Sequence, residues 1–528
     1  MQRLLILLLL LLNLTISHAQ FSISHESGFY TDSFILRVQQ YDLDTINIID
    51  GKTKPDISLG LIPTTIIPNI STSHNQGEKK VQYEKHWKKP KSYPIVFTAT
   101  YKYKDTSAYR TFFFEKKHSL PILSIHIDSN SWFNHDTGIY QPGVHCNPEN
   151  SVWTGNYHQK GKDWERSVHA EYFEDYQKVF EQYFGVRIHG LKSGSAPQKS
   201  FRIYAREKYG SKYIKHAFFG IDSLKRMIVR TPFSCHGQRL MVDPIIHELA
   251  KITHVDRMSA TPVVLYVNGE YWGLHFLRER MDEKYIKNHY GLNKSEIAFG
   301  DWKKFGGLVH QVEQLNMKDS IAFAKVEALI DIPSFIDYIV LQTFFRNKDW
   351  LVNNNNTIFW QEGTDGKWRF LLIDLDAGFQ AADQDMFAFL KENEKSMVGR
   401  LYFQLLKQDT FKTRFFARYQ TLLQTTLSTN HIINQIDSMT GLVDDEILHQ
   451  SNRWSLPEDE AAWEKAKLQM KTFAKARPQH VIDHIKKHYK IELTLEEERG
   501  SYALWMVAFG MVAFGIYMIN EDNKTRKK

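Results

Sequence analysis

Two cysteines, Cys146 and Cys235, are all that 528 residues contain. So few thiols exclude a multi-bridge disulfide framework and a cysteine-built zinc centre, although one bridge between the two stays open. The 23 histidines form no HExxH or comparable ligand spacing, so most read as surface or packing residues. Charge of one sign is also scarce. With 67 basic against 60 acidic residues the net is only +7, and no basic stripe stands out, which argues against a nucleic-acid partner.

The two ends carry the long apolar runs. Residues 1–19, MQRLLILLLLLLNLTISHA, have a positive start at Arg3, a leucine run and small residues before a cut after Ala19, which is the pattern of a secretory signal peptide. Residues 500–520 carry no charge and are just long enough to span a bilayer as a helix. The basic tail 521–528, ending in KTRKK, then belongs in the cytoplasm and the main domains outside it. The expectation is a single-pass cell-membrane protein with extracytoplasmic domains.

The length between these ends suggests two or three domains, and 13% aromatic with 42% hydrophobic residues leaves ample material for cores. In 20–118, alternating residues such as Phe34, Leu36 and Val38 point to a small all-β sandwich, with a glycosylation sequon at Asn69-Ile70-Ser71. Region 119–399 is mixed. Its stretch GVRIHGLKSGSAPQKSFRIYAREKYG sets a Gly- and Ser-rich turn, with Ser195 in it, between strands at 185–189 and 199–206. Such a turn can lay backbone amides around phosphates while a strand lysine or arginine reaches the same oxygens; a plain hairpin is the alternative. MVDPIIHELAKI reads as an amphipathic helix whose Glu248 either braces a phosphate-binding lysine or is simply solvated. Asn268-Gly269 between apolar runs marks a hairpin. Region 400–499 has heptad-like apolar spacing and reads as a helical subdomain.

The most informative segment is NKDWLVNNNNTIFWQEGTDGKWRFLLIDLDAGF, residues 347–379. Before it, SFIDYIVLQTFF predicts a helix with Asp331 as a cap; within it, 356–361 and 368–373 predict a β-hairpin. The order is helix, acid-bearing loop, hairpin, acid. Asp349 precedes Asn354 by five residues, and Asp374 follows the second strand with Asp376 beside it. Phosphoryl transfer needs one carboxylate to accept the proton of an attacking hydroxyl, plus an amide oxygen and a second carboxylate to hold magnesium against nucleotide phosphates. Asparagine and aspartate also crowd into turns for their own backbone bonds, so turn chemistry alone is the competing explanation.

Together with LPILSIHID, DWERSVHAEYFE, VNGEYWGLHFLRERMDEKYI and the RW and FAKARP elements downstream, these stretches resemble the CotH kinase family over about residues 119–490. The resemblance implies an α+β, atypical two-lobed protein-kinase-like fold, here preceded by a sandwich similar to chitobiase or fibronectin-like modules and followed by a C-terminal transmembrane helix. It also implies ATP and Mg2+ as cofactors and serine or threonine hydroxyls of an unidentified extracytoplasmic protein as acceptors. By position, Asp349 resembles the catalytic acid, Asn354 and Asp374 the metal ligands with Asp376 sharing that role, and Lys199 and Arg202 the groups that meet the phosphates. Two departures stand out: Tyr204 stands where many relatives have a lysine, and Asn347 where protein kinases have histidine or tyrosine. A non-catalytic surface-binding module on the same fold and a metal-assisted hydrolase using Asp374 and Asp376 are the rival functions.

Overall fold

The computed structural model describes residues 21–23, 25–30, 34–40, 43–49, 61–62, 96–103, 106–114 and 118–495, less 233–238, 353–355 and 364–365. The expected signal peptide, the apolar segment 500–520, Cys235 and Asn354 lie outside the described residues. Among those described, no helix is long and apolar enough to cross a membrane.

Seven strands precede residue 118: β1 Phe21–Ile23, β2 Gly28–Phe29, β3 Phe34–Gln40, β4 Leu43–Ile49, β5 Leu61–Ile62, β6 Val96–Tyr103 and β7 Thr106–Phe113. They form a three-stranded sheet, β1-β3-β4, and a four-stranded one, β2-β7-β6-β5. Strand β7 also packs on the adjoining domain, because alternate residues on one of its faces, Tyr109, Thr111 and Phe113, turn toward it. There the Phe113 ring meets Phe173 and Tyr266 edge-on at 5.3 and 5.5 Å.

That domain is a closed seven-stranded barrel. Its strands are β8 Ile122–His126, β9 Arg166–Glu174, β10 Gln177–His189, β11 Ser200–Tyr204, β12 Arg226–Arg230, β13 Ala260–Val267 and β14 Glu270–Arg278, in the order β10-β11-β12-β14-β13-β8-β9. Strand alternation sorts the side chains. Phe201, Ile203, Met227 and Val229 are buried, while Arg202, Arg226 and Arg230 line the other face. The β13–β14 turn is the expected Asn268-Gly269 pair, both at positive φ (50° and 78°). The Asn268 side chain also accepts from Ile127 N and donates to Ile127 O, both at 2.9 Å, tying the turn to the end of β8.

The second half is helical around a small sheet of β15 Ile297–Phe299, β16 Ile358–Glu362 and β17 Trp368–Leu371. Its central helix, Ile332–Phe344, is buried throughout the positions that carry its apolar pattern, and Asp331 caps it by accepting from Ser334 N at 3.0 Å. Phe335 and Tyr338 pack on Phe370 of β17, which fixes the hairpin against this helix. Both elements fall within about two residues of the ranges expected from sequence.

Two C-terminal helices bind the halves together. Helix Ile447–Trp454 docks on β14: Leu274 N donates to Gln450 Oε1 at 2.8 Å and Trp454 Nε1 to the Trp272 carbonyl at 2.9 Å. Gly273, at φ +91°, makes that approach possible, since a Cβ there would stand 2.4 Å from Gln450 Oε1. Helix Glu460–Tyr489 contains Pro478. Having no N–H, the proline leaves the Ala474 carbonyl unbonded within the helix, and the Thr429 hydroxyl donates to it at 3.2 Å. The preceding Arg477 is buried and donates to four carbonyls, Phe344 and Thr343 at 2.8 and 2.6 Å and Ala382 and Gln384 at 2.7 Å each. It thereby fastens the end of the central helix to the loop after Phe379.

Candidate active site

The acid-bearing loops leave two neighbouring elements, the C-terminus of the central helix and the end of β17. Asn347 joins them. Its buried amide donates to Gln342 Oε1 at 2.9 Å and to the Asp374 carbonyl at 3.4 Å, while its Oδ1 accepts from Asp349 N at 3.1 Å. Asp349 and Asp374, 25 positions apart in sequence, are therefore held through one side chain. Asp349 begins the short helix Asp349–Val352 and is half-buried.

Backbone conformation concentrates here. Arg346, Asp374, Phe379 and Ala381 all adopt positive φ (59°, 52°, 54° and 43°), which costs a non-glycine residue energy that surrounding contacts must offset. Those contacts are present. Leu375 N donates to Asp243 Oδ1 at 2.9 Å, Phe379 N to the Phe345 carbonyl at 3.2 Å, and Arg239 to the Gly378 and Phe379 carbonyls at 2.9 and 2.8 Å.

Arg230, at the end of β12, brings the barrel to the acids. Its NH2 donates to Asp376 Oδ2 at 2.5 Å and lies 3.5 Å from Asp374 Oδ1. Against the cost of burial, Asp376, Asp243 and Asp374 hold the guanidinium protonated, its pKa raised above the usual value. Asp243 is buried in helix Val242–Leu249 and pairs with Arg278. Despite its burial, Arg278, His247 and Arg230 keep its carboxyl ionised well below the ordinary range. Asp376 goes the other way, pushed up to about 7 by burial and by Asp243 and Asp374, which Arg230 only partly offsets. Three carboxylates thus gather around Arg230 and Arg278.

A basic face adjoins them. His189 of β10 accepts from Arg202 Nε at 3.0 Å, and burial followed by Arg202, Arg230, Arg280 and Lys160 holds its imidazole well below the usual pKa. Strand pairing sets Arg202 opposite Ile228, so Arg202 and Arg230 share one face of β11 and β12. Arg280 pairs with Asp282 at 3.2 Å, whereas among the described residues Arg202 and Lys160 meet no carboxylate. Anionic phosphates suit such a face.

The other expected phosphate groups are occupied elsewhere. Lys199 is buried, donates to the Ala196 carbonyl at 2.6 Å and lies over the Tyr157 and Tyr140 rings at 4.3 and 5.1 Å. Burial alone pushes its pKa down to about 7. Ser195 Oγ donates to the Lys192 carbonyl at 2.8 Å, closing the Gly-rich turn on itself. Glu248 pairs with Lys251 at 3.1 Å and Arg257 at 3.3 Å, so it braces those cations and not Lys199. The structure ties the Asp349 backbone to Asp374 through Asn347, sets Asp374 and Asp376 against Arg230 on the sheet face that carries Arg202, and leaves Lys199, Ser195 and Glu248 with other partners.

A family profile for CotH kinase protein matches residues 186–301 and 293–481, which span more than half of the chain. The chain belongs to the CotH kinase family. No curated protein matches it. The matched span of this CotH kinase chain takes in β11, Arg230, Asp243, both acid-bearing loops, Gly273, Trp454 and Arg477. Membership implies kinase-related chemistry and, with it, use of ATP.

Sequence reasoning missed Arg230 and Asp243. The signal for Asp243 was present, an acid inside the apolar run MVDPIIHELA, where a buried carboxylate demands a partner. Arg230 gave no local signal, because its partners are separated from it by 144 and 146 positions.

Proposed function

We propose that this CotH kinase transfers the γ-phosphoryl group of ATP to serine or threonine hydroxyls of extracytoplasmic proteins, anchored to the cell membrane by segment 500–520. The single observation that carries the reading is the joining of Asp349 and Asp374 through Asn347, with Arg230 and the Arg202 face beside them.

Asp374 and Asp376 would hold magnesium, with Asn354 as the expected third ligand. The donors fit a hard divalent cation: burial, with Asp243 and Asp374 alongside, pushes Asp376 up to about 7 in spite of Arg230, and carboxylate oxygens are what magnesium prefers. When bound, the metal supplies neutralisation of phosphate charge. The protein's own groups do the rest. Asp349 accepts the proton as the acceptor hydroxyl oxygen bonds to the γ-phosphorus, and the bond to the β-phosphate oxygen breaks, releasing ADP. Arg202, Lys160 and Arg280 face the phosphates, where fixed positive charge stabilises the transition state without reorganisation.

A second reading draws on Arg230. Because its guanidinium already contacts one oxygen of each carboxylate, a non-catalytic binding module on the kinase fold is favoured if that ion pair persists. Calorimetric titration of the detergent-purified full-length protein with ATP, with and without magnesium, separates the two. Metal-dependent binding abolished by Asp374→Asn supports the kinase. Failure to bind ATP under either condition supports the module.

A further inference from the structure

A second cluster of ligand-type side chains lies away from the acids, between the N-terminal sheet and the barrel. His126 and His169 face one another as a cross-strand pair on β8 and β9, and Ser124 faces Glu171 two residues along. Period-two alternation puts all four on one face of the ladder. Strand β7 covers that face with Thr111, whose Oγ1 lies 2.9 Å from Ser124 Oγ, 2.9 Å from His126 Nε2 and 2.5 Å from Glu171 Oε2. His126 Nε2 lies 3.0 Å from the same carboxylate oxygen. Tyr109 closes the side, its ring 5.1 Å from His169 and 5.2 Å from His126.

The three titratable residues are 0–6% exposed, and one ligand atom from each lies within 4.8 Å of the others. Among the described residues this is the only such group. Its hydrogen bonding is incomplete: His126 Nδ1 and His169 Nδ1 are buried with no partner. Two orphaned imidazole nitrogens in one sealed cluster, each costing about 1–3 kcal/mol, call for a partner that the neighbouring side chains do not supply.

We propose that His126, His169 and Glu171 bind a zinc ion that clamps β7 to the barrel, with the Thr111 hydroxyl beside it as the fourth ligand. Two imidazoles and a carboxylate are a zinc donor set, and its bonds of about 2.0–2.2 Å place ligand atoms roughly 3.3 Å apart. His126 Nε2 and Glu171 Oε2, 3.0 Å apart, already stand near that spacing. The ion lies outside the kinase site and is independent of it.

The full-length protein, purified in detergent without a histidine tag, provides the test. Elemental analysis is expected to find about one zinc per chain. Chelator treatment should lower Tm, and added zinc should restore it by at least roughly 3 °C. Cobalt substituted for zinc should give visible absorption bands of four-coordinate geometry that Glu171→Gln and His169→Ala weaken or abolish and Asp374→Asn leaves intact. Absence of stoichiometric metal together with a Tm indifferent to zinc in the wild-type protein overturns the proposal and leaves a hydrogen-bonded polar cluster. The wild-type titration decides even if a variant fails to fold.

Discussion

At the scale of the residue, the acids divide the work by environment. Asp349→Asn should lower phosphoryl transfer by at least about 100-fold with little change in Tm, because Asp349 is half-buried and is tied to Asn347 through its backbone N–H, which the substitution keeps. Transfer of labelled phosphate to a protein acceptor, measured beside a melting curve, checks this. Asp376 sets a pH dependence. Its pKa of about 7 means that the metal competes with a proton there, so magnesium affinity should fall as pH drops from 8 to 6. Calorimetry in two buffers of different ionisation heat should show proton release on metal binding, fading in Asp376→Asn.

Lys199 gives a stability prediction of definite sign. Its pKa falls from 10.5 unfolded to about 7 folded, so between those values the unfolded chain holds the extra proton. Stability contributed by this residue is therefore full above about 10.5 and is lost as pH falls through 7. Lys199→Met should stabilise the protein most at pH 6 and progressively less toward pH 10, which melting curves across that range would reveal.

At the scale of the element, loops matter more than the helices and strands they join. Asn347→Ala removes the link between Asp349 and the Asp374 carbonyl while leaving the central helix intact, so kcat should drop by roughly 10- to 100-fold and Tm by much less. Steady-state kinetics with melting curves distinguishes this from unfolding. The central helix, its Asp331 cap, the β16–β17 hairpin and the Asn268-Gly269 turn were legible in sequence because each is written in neighbouring residues. Barrel closure was not, since it depends on β8 pairing with β13 and β9, far from it in sequence. For the same reason Arg230 was illegible, while Lys199, in an expected strand after a glycine-rich turn, pointed to a position that ends under two tyrosine rings. Local chemistry names residue types; only folding assigns their neighbours.

At the scale of the whole molecule, the C-terminal helices complete the acid-bearing half and brace the barrel. Helix Ile447–Trp454 holds β14, and Arg477 holds the loops on either side of the acids. Arg477→Met would strand four carbonyls in a buried site, so a loss of about 3 kcal/mol or more is expected, with activity falling alongside. Chemical denaturation of the full-length variant measures the first and phosphate transfer the second. Region 400–499 is consequently no detachable appendage of the preceding lobe.

The span between Phe344 and Arg477 has a temporal meaning. The last anchor for the segments that flank the two acids is supplied 133 positions after the helix it secures. A nascent polypeptide emerging from the ribosome or the translocon therefore carries both aspartates long before it can fix their geometry.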